Sequence, residues 1–321
     1  MNVLITGGAG FIGSHLVKYH LNKQDSVWAI DNLTSGKLSN LPTSSKLRFD
    51  EQDVCTWPQL DEAVKWADRI YHMAAIVGQR CVIQDPLRVL EVGIGSTERI
   101  LNLLSKSSKK ISLLIASSSA VYGYHDIQSF KEDAPLQVLS GEYIQQSYSL
   151  SKVMNELSAL CYRSQKGVEC TIARLFNVAG VNQTGRYGMV IPNFISNALN
   201  GKPLFIYGDG QQTRSFCNVL DIVRGLDLIL SNPNIRGEII NIGSDEEISI
   251  LDLAHLICKK TNSSSKIEFL SYKDAYGIDF QDIRKKRPCL EKLRKLTTYQ
   301  PQYNLDQTLT QIIDSLNTPS M

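Results

Sequence analysis

A tyrosine and a lysine stand four positions apart in a segment whose apolar residues have helical spacing. Tyr148 and Lys152 lie one turn apart if residues 148–163 form a helix, so both side chains face the same side. An ammonium group beside a phenol favours the phenolate, and we therefore expect Lys152 to lower the pKa of Tyr148 toward the working pH. The pair predicts a proton-transfer site. The alternative is an exposed Tyr/Lys pair on a helix surface, which is common.

Three glycines occur in the opening segment, after a short apolar strand and at the start of a segment with helical spacing. Gly7 permits a tight turn, Gly10 leaves space where the backbone approaches a phosphate, and Gly13 lets the helix pack closely on the strand. The helix N-terminus offers free N–H groups and partial positive charge to a pyrophosphate. This turn, with Phe11 and Ile12, predicts a dinucleotide-binding site. A glycine-rich turn without a ligand is the alternative, and the position directly after the first strand argues against it.

Further cofactor contacts are expected where the next three strands end. Asp31 ends the second strand, where a carboxylate accepts hydrogen bonds from the adenosine ribose and would repel a ribose phosphate, so NAD is favoured over NADP. Asp53 follows the third strand within reach of the adenine edge, and small residues after the fourth strand would let the backbone approach the cofactor. Solvated or turn aspartates and a packed strand end are the alternatives. The predicted contacts are Asp31, Asn32, Asp53, Val54, Met73, Ala74 and Ala75.

Alternating strands and helices place these residues on one sheet. Apolar runs predict strands at 3–5, 27–30, 47–49, 69–72, 111–116 and 170–175. Helical spacing separates them at 11–21, 60–66, 88–104 and 148–163. This alternation implies an α/β fold with a Rossmann-type doubly wound parallel sheet, covered by helices on both faces.

The pattern changes after Phe176, where glycine, asparagine and proline become frequent. Helical spacing returns at 191–199, 220–230 and 251–260, and 238–242 has the pattern of one more strand. We therefore expect a smaller, discontinuous C-terminal lobe that binds the substrate. The expected division is a cofactor-binding domain of residues 1–177 and 215–243 and a substrate lobe of residues 178–214 and 244–318.

Composition argues against several classes of protein. The formal net charge is +2 over 321 residues, so no strong attraction to nucleic acid or to a membrane surface is implied. Seven cysteines without a C-x-x-C spacing favour a reducing compartment over a disulfide framework. The five histidines have no ligand spacing, so we expect no metal site. With no signal peptide and no apolar segment of membrane-spanning length, the protein is expected in the cytoplasm.

Six short motifs can be compared with known families. They are GGAGFIG at 7–13, HMAA at 72–75, SSSAVYG at 117–123, YSLSK at 148–152, RLFNVAG at 174–180 and YGDGQQTRSF at 207–216. Together they resemble the extended short-chain dehydrogenases/reductases of the NAD-dependent sugar epimerase/dehydratase family, over nearly the whole chain. The resemblance implies NAD as cofactor and a nucleotide-diphosphate sugar as substrate, with a UDP-sugar favoured. It also implies a homodimer formed through the helices near 88–104 and 148–163.

The resemblance implies roles for individual side chains of the catalytic site. Tyr148 would take a proton from a sugar hydroxyl, and Lys152 would also hold the nicotinamide ribose, so both are expected to contact the cofactor. Ser118 stands where family members hydrogen-bond the reacting sugar oxygen, although a slip of one residue to Ser117 or Ser119 stays open. The expected catalytic residues are Ser118, Tyr148 and Lys152.

Substrate contacts are implied in the second half of the chain. Asn177 follows the sixth strand, and Arg214 resembles the family's diphosphate-binding arginine, because a guanidinium pairs with that anion in bidentate geometry. The basic run from Arg284 to Arg287 would supply a second phosphate contact. Where the family has Arg-Arg-x-Pro-Asp, this chain has Lys-Lys-Arg-Pro-Cys at 285–289, which leaves the contacting residue open. Surface arginines and a solvated basic run are the alternatives. The expected substrate-binding residues are Ser118, Ser119, Asn177, Arg214, Arg284 and Arg287.

The reaction implied by the resemblance begins with oxidation at C4 of the sugar. Tyr148 would deprotonate the C4 hydroxyl while NAD takes the hydride, which leaves a 4-keto sugar. Dehydratases of the family carry Asp-Glu after the serine/threonine position, and decarboxylases carry glutamate just before Val-Tyr-Gly. This chain has Ser119 and Ala120 there. Because neither is a carboxylate, C4 epimerisation is the expected outcome.

Two features keep other outcomes open. Residues 183–192 and 275–277 resemble a subgroup near the glucuronate decarboxylases, so decarboxylation with a displaced carboxylate, or dehydration, is the second expectation. Gly93 stands where many relatives have an asparagine that helps to order the site. A non-catalytic NAD-binding sensor or scaffold is the third expectation, and the intact Ser118, Tyr148 and Lys152 argue against it.

Overall fold

The computed structural model describes residues 1–125, 127–138, 146–185, 188–276 and 283–317. Each strand and helix predicted for the first half is present, with bounds shifted by a few residues. In chain order the elements are β1 (Asn2–Thr6), α1 (Phe11–Asn22), β2 (Ser26–Asp31), β3 (Leu47–Glu51), α2 (Leu60–Trp66), β4 (Arg69–His72), α3 (Gln79–Gln84), α4 (Pro86–Ser105), β5 (Ser112–Ser118), α5 (Ser147–Lys166), β6 (Cys170–Leu175), β7 (Val178–Ala179), α6 (Val190–Leu199), β8 (Leu204–Tyr207), β9 (Thr213–Ser215), β10 (Cys217–Asn218), α7 (Val219–Ser231), β11 (Ile239–Ile242), β12 (Glu247–Ser249), α8 (Ile250–Lys260), β13 (Ile267–Leu270), α9 (Tyr272–Tyr276), β14 (Lys285–Lys286), α10 (Glu291–Leu296) and α11 (Leu305–Asn317).

Seven strands form one parallel sheet. Their order is β11-β6-β5-β4-β1-β2-β3, and every neighbouring pair is parallel. The chain therefore starts in the interior of the sheet, builds outward to β3, and returns past β1 to build the other half. This is the Rossmann-type doubly wound arrangement, so the predicted fold class is confirmed.

Helices cover both faces of this sheet because successive side chains on a strand point to opposite faces. In β1, Val3 and Ile5 pack on one face and Leu4 on the other. The first face is covered by α1 and α7, and the second by α2, α4 and α5. The helix that carries the Tyr/Lys pair is thus held against β5 and β6, where their carboxyl ends meet.

A separate hydrophobic cluster defines a smaller lobe, built from α6, β8, α8 and α11 and centred on Ile195, Leu204, Leu253 and Leu309. Three small sheets accompany it: β10 pairs with β7, β13 pairs with β8, and β12, β9 and β14 form a three-stranded sheet. Of these elements the sequence predicted only α6 and α8. The strands were missed because two to four residues carry too little periodicity to be recognised.

The expected substrate lobe of residues 244–318 needs one correction. Leu290, Leu293 and Tyr299 pack with Ile240 and Ile242 in the cluster that covers the seven-stranded sheet. The physical reason is α10, which returns the chain to β11 before α11 rejoins the smaller lobe. The rest of the expected division, 1–177 with 215–243 against 178–214 with 244–318, stays a prediction.

Neither a membrane-spanning helix nor a metal-binding cluster occurs among the described residues. No helix in the described part of the chain combines the length and the apolar character that crossing a bilayer requires. Within those same residues, no group of three or more His, Cys, Asp and Glu side chains is arranged to hold a metal ion.

Candidate active site

The carboxyl ends of the parallel strands border a cavity of about 780 Å³. The sheet reverses its direction of growth beside β1, and loops that diverge from such a point leave a crevice in which ligands bind. We call the side of the cavity made by β5, α5 and β6 the reaction wall. We call the opposite side, made by β9 and β14, the binding wall.

The glycine turn after β1 fits a dinucleotide pyrophosphate. Gly7 has a φ of +68°, which favours glycine, and a Cβ on Gly13 would overlap the Gly7 carbonyl oxygen. Side chains at these positions would therefore push α1 away from the turn. Among the described residues no side chain caps the N-terminus of α1, whose N-cap is Gly10, so its first N–H groups are left for an anion. Phe11 and Ile12 line the cavity beside them.

Asp31 is buried at the end of β2, next to this turn. Its carboxylate accepts hydrogen bonds from the Ala9 N–H at 3.0 Å and the Leu33 N–H at 2.8 Å. Burial raises the pKa of Asp31, and bonds from the Leu33, Ala9 and Gly10 backbone oppose that rise. These bonds fix the carboxylate beside the turn and leave it acceptor capacity for one ribose hydroxyl. Its contact with the ribose stays a prediction.

Asp53 is tied to the beginning of α4. Its carboxylate accepts hydrogen bonds from the Cys55 N–H at 2.8 Å and the Arg88 guanidinium at 2.8 Å. The Asn32 amide donates a third bond at 3.3 Å. Burial alone would raise the pKa of Asp53, but these partners outweigh it and the pKa is lowered. Asp53 is therefore a fixed anion, and its predicted contact with the adenine edge would use the lone pairs that remain.

The remaining predicted cofactor contacts differ in what they face. The Val54 side chain is buried in the core beneath the sheet, so only its backbone can meet a cofactor. Met73 and Ala75 line the cavity. The Ala74 backbone lies 2.9 Å from where a Cβ on Gly7 would be, so it backs the glycine turn.

The reaction wall brings together the three predicted catalytic side chains. β5 ends at Ser118, α5 begins at Ser147, and the hydroxyls of Ser118 and Tyr148 are hydrogen-bonded. The Lys152 ammonium donates to the Ala116 carbonyl oxygen at 2.8 Å and lies 5.8 Å from the centre of the Tyr148 ring. Tyr148 and Lys152 both face the cavity, which is the shared side that their spacing predicted.

The expected effect of Lys152 on the Tyr148 phenol needs a correction. Burial raises the pKa of Tyr148, and the bond with Ser118 only opposes that rise. Lys152 turns its ammonium to the Ala116 carbonyl rather than to the phenol. Burial also lowers the pKa of Lys152 to about 8, against the opposing charge of Glu156. The spacing of the two residues could not predict these pKa shifts, because both depend on burial, which the local sequence does not show.

The three neighbouring serines have distinct partners. The Ser117 hydroxyl donates to the Glu156 carboxylate at 2.5 Å. Ser118 bonds Tyr148 and also accepts from the Ala120 N–H at 3.2 Å. Ser119 lines the cavity. Of the three positions left open by the sequence, Ser118 is therefore the one joined to the candidate base.

Sequence reasoning missed Glu156, which is buried two turns after Tyr148 on the same helix face. Its two carboxylate oxygens accept from the Arg174 guanidinium at 2.9 and 2.7 Å. The signal was present, because Tyr148, Lys152 and Glu156 are spaced by four and lie in one row on a helix. The partner Arg174 lies on β6, and nothing in the local sequence joins the two.

Arg214 lies on the binding wall with its guanidinium held by backbone groups. It donates to the carbonyl oxygens of Thr213 at 2.7 Å and Ile283 at 2.8 Å. Asn177 also lines the cavity, and its amide donates to the Ser215 carbonyl oxygen at 3.2 Å. The structure thus brings both predicted substrate contacts to the cavity.

The basic run near the C-terminus contributes a different residue from the two that were expected. Arg284 is exposed and pairs with Asp209 at 2.7 Å, and Arg287 lies 3.6 Å from the Glu247 carboxylate. Neither lines the cavity, whereas Lys286 does. β14 pairs with β9 in the register Lys286↔Arg214, which brings these two cations side by side. Counting back from Pro288 would have found it, since Lys286 falls on the second arginine of the family motif.

Comparisons with known proteins identify the family to which this chain belongs. A model of the NAD dependent epimerase/dehydratase family matches residues 3–243. The chain belongs to this family. That match spans the glycine turn, the Ser118–Tyr148–Lys152 constellation and Arg214.

Relatives cover nearly the whole chain. UDP-N-acetyl-alpha-D-glucosaminuronate decarboxylase of Bacillus cytotoxicus is 35% identical over 97% of this chain and 96% of its own length. UDP-glucuronic acid decarboxylase 1 of Danio rerio is 32% identical over 97% of this chain and 71% of its own length. The crystal structure of UDP-glucuronic acid 4-epimerase from Bacillus cereus, in complex with UDP-glucuronic acid and NAD, is 30% identical with a TM-score of 0.88, covering 98% and 99% of the two chains.

The protein is therefore an NAD-dependent enzyme of the nucleotide-sugar epimerase and decarboxylase group. NAD is its cofactor, and the open helix N-terminus and the carboxylate at the end of β2 fit that molecule.

The charges around the cavity restrict the chemistry of this family member. Among the described lining residues, Lys152, Arg214 and Lys286 are cationic, and none is aspartate, glutamate or histidine. A cavity with this lining attracts an anion such as a diphosphate. Within the described part of the chain it offers Tyr148 as the phenolic base and no carboxylate for a second proton transfer.

Gly93, where the family often has asparagine, lies against the catalytic helix. A Cβ at Gly93 would lie 2.9 Å from the Ser151 hydroxyl oxygen. Ser151 in turn donates to the Tyr148 carbonyl oxygen at 2.8 Å. The glycine therefore lets α4 approach α5 closely just behind Tyr148, and a larger side chain would need α5 to move.

Proposed function

We propose that the protein is a UDP-sugar C4 epimerase. The observation that carries the proposal is the reaction wall, where Ser118 bonds Tyr148 and Lys152 lies beside them without a carboxylate among the described lining residues. The three side chains can oxidise and reduce C4, and the described residues that line the cavity include no carboxylic acid of the kind that dehydration needs. Their meeting at one point also argues against a sensor or scaffold that has lost its chemistry.

The proposed reaction uses one base in both directions. NAD supplies the hydride acceptor at C4 and, while oxidised, a positive nicotinamide charge that favours the Tyr148 phenolate. Tyr148 removes the proton of the C4 hydroxyl while Ser118 donates a hydrogen bond to the same oxygen. Lys152 orients the ribose and holds positive charge beside the phenol.

Epimerisation then requires that the 4-keto sugar present its other face. Arg214 and Lys286 would hold the diphosphate on the binding wall while the sugar turns in the cavity. The hydride returns to C4 from the opposite face, and Tyr148 gives its proton back to the oxygen. The product has the mass of the substrate, and the cofactor ends oxidised and bound.

The test is incubation with UDP-glucuronic acid, UDP-N-acetylglucosaminuronic acid, UDP-glucose and UDP-N-acetylglucosamine, followed by mass spectrometry and NMR. We expect a new sugar of unchanged mass with an inverted C4 configuration. A Tyr148→Phe sample is the control for contaminating activity. Loss of water, or no product from any of the four, would reject epimerisation.

Decarboxylation is the second candidate, because the curated relatives described above are decarboxylases of UDP-uronic acids. A 4-keto uronic acid is a β-keto acid and can lose carbon dioxide, after which C5 must be protonated. Heavy water separates the two outcomes. The decarboxylated sugar would carry deuterium at C5, whereas a C4 epimer would carry none at C4, since that hydrogen returns from the cofactor.

We also propose a homodimer in the cytoplasm. Met154, Leu157 and Leu160 are exposed apolar residues on the outer side of α5, and Leu87 is exposed at the start of α4. A second copy of the chain would bury this face, as the expected dimer requires. Sedimentation that gives a monomer at assay concentrations would reject the dimer. The cytoplasmic location is supported by the seven cysteines, none of which forms a disulfide in the described part of the chain.

A further inference from the structure

We propose that Glu156 is a positioning residue for the proposed reaction, because it fixes the end of β5 that carries Ser118 and places a negative charge behind the Lys152 ammonium. The inference rests on the proposed function for its kinetic test alone. Glu156 is a buried carboxylate that takes no part in the proposed proton transfer.

Helix α5 holds the end of β5 at two adjacent points. Lys152 donates to the Ala116 carbonyl at 2.8 Å, and Glu156 accepts from the Ser117 hydroxyl at 2.5 Å. The next residue is Ser118, whose hydroxyl bonds Tyr148 at the start of the same helix. Glu156 thereby sets the distance between the strand that supplies the serine and the helix that supplies the tyrosine.

Arg174 holds Glu156 in place from β6. Its guanidinium meets both carboxylate oxygens, at 2.9 and 2.7 Å, and its third nitrogen donates to the Glu132 carbonyl oxygen at 3.0 Å. Both side chains are buried. Buried ion pairs of this kind are often no more stabilising than apolar residues of the same volume, so fold stability alone gives little reason for one here.

Within the described residues, the titratable, charged and dipolar groups that face Lys152 lie on four elements. On α5 they are Tyr148 and Glu156, on β4 His72, on β5 the Ala116 carbonyl dipole, and on β6 Arg174 behind Glu156. His72 is neutral, since burial, with a smaller contribution from Lys152, lowers its pKa to about 3. Glu156 is thus the anion that offsets the burial of Lys152.

The direction of the effect follows from the sign of that charge. Burial lowers the pKa of Lys152 to about 8, and Glu156 opposes the fall. Without the carboxylate charge the pKa falls further, so Lys152 loses its proton at a lower pH. Because the reaction needs the ammonium form, the alkaline limb of the pH profile must move to lower pH.

The test is Glu156→Gln, which keeps an oxygen acceptor for Ser117 and removes the charge. We expect the alkaline limb of kcat to move down by about one pH unit, with about a fivefold loss of kcat near pH 8 and little change in KM. Ser117→Ala is the complementary variant, since it removes the strand contact and keeps the charge. It should lower kcat without moving the limb.

Asp227→Asn is the matched control. Asp227 is also a buried carboxylate paired with an arginine, Arg69 at 3.0 Å, but it lies at the amino end of the sheet. It should lower the thermal midpoint and leave the pH profile unchanged. If Glu156→Gln lowers the midpoint and leaves the limb in place, like Asp227→Asn, Glu156 is structural and the inference is rejected.

A second readout does not need the proposed reaction. The ultraviolet difference titration of the NAD-loaded protein, measured against the same protein with Tyr148→Phe, reports ionisation of Tyr148 alone. Glu156→Gln should shift that titration to lower pH, because a nearby negative charge that disfavours the phenolate is removed. Lys152, whose pKa is about 8, is already largely neutral where a phenol of raised pKa ionises, so it does not cancel this shift. An unchanged titration would overturn the inference, even if the protein turns over none of the nucleotide sugars. A shifted titration in a protein without turnover would reject only the proposed function.

Discussion

The two walls of the cavity hold their charges in different surroundings. On the reaction wall Lys152 and Glu156 are buried and bonded to β5 and β6, and Lys152 has a lowered pKa as a result. On the binding wall Arg214 and Lys286 are partly exposed, on strands of two or three residues. Buried charges are strongly shifted and suit proton transfer, whereas cations beside solvent suit the capture and release of a dianion. Changes on the first wall should therefore lower kcat, and changes on the second should raise KM.

Tyr148→Phe should have the largest effect. Loss of the phenolic base is expected to lower kcat by about a thousandfold, within the range of general base catalysis, while bound NAD is retained. Turnover and NAD content per protein are the measurements. Tyr272→Phe removes a hydroxyl from a different part of the cavity lining and should leave kcat nearly unchanged. Near-normal turnover of Tyr148→Phe would show that Tyr148 is not the catalytic base and that proton transfer does not take place on the reaction wall.

Arg214→Ala should come next, with its effect in KM. Loss of charge-assisted bonds to a diphosphate is worth about 3 kcal/mol, which corresponds to about a 100-fold rise in KM with kcat little changed. Arg284→Ala is the matched control, because that guanidinium is exposed and paired with Asp209. If Arg284→Ala raises KM as much as Arg214→Ala does, the assignment of the binding wall is wrong.

Asp31 lies outside both walls, so Asp31→Ala should change cofactor binding and leave the substrate constants of both walls unaffected. It should weaken NAD binding by about tenfold and relax the discrimination against NADP, with no change in the KM of the sugar. Asp31→Asn keeps an acceptor for the Ala9 N–H and controls for loss of the turn. Titration of both cofactors by intrinsic fluorescence, with the thermal midpoint measured alongside, is the check. Equal affinities before and after substitution would refute the ribose contact.

Lys286→Ala should have the smallest effect, about a fivefold rise in KM, because a flexible ammonium holds phosphate as a point charge. Lys286→Arg should restore tight binding, and Lys285→Ala, on the exposed neighbour, should do nothing measurable. The KM of all three should be compared at low and high salt, where the contribution of Lys286 ought to weaken with screening. If Lys285→Ala raises KM as much as Lys286→Ala does, the net charge of the basic run explains the effect, and the specific contact of Lys286 with phosphate is rejected.

The sequence predicted the local patterns of the site better than its long-range pairings, for a physical reason. The glycine turn and the Tyr148–Lys152 pair are local patterns, in which every residue needed lies within a few positions. The Glu156–Arg174 pair joins α5 to β6, and the β14–β9 pairing joins segments far apart in the chain, so local spacing contains neither. The direction of the Tyr148 pKa depends on burial, which only the folded packing determines.

Some of what was missed had a visible signal. Helix α11 has apolar residues at Leu305, Leu309, Ile312 and Ile313, a helical spacing that predicts the amphipathic helix found there. Lys286 could have been placed by counting from Pro288. The return of α10 to the large sheet had no such signal, because its six residues fit either lobe equally well.

The register that pairs Lys286 with Arg214 also bears on how the protein folds and what a ligand does to that process. The two cations lie far apart in the sequence, and contacts of long sequence separation form slowly, so we expect the proposed diphosphate site to be completed late in folding. Very few backbone hydrogen bonds join these short strands. A dianion bound to both cations therefore links the two strands. Since it binds only the native state, it stabilises that state by an amount that grows with the logarithm of the dianion concentration.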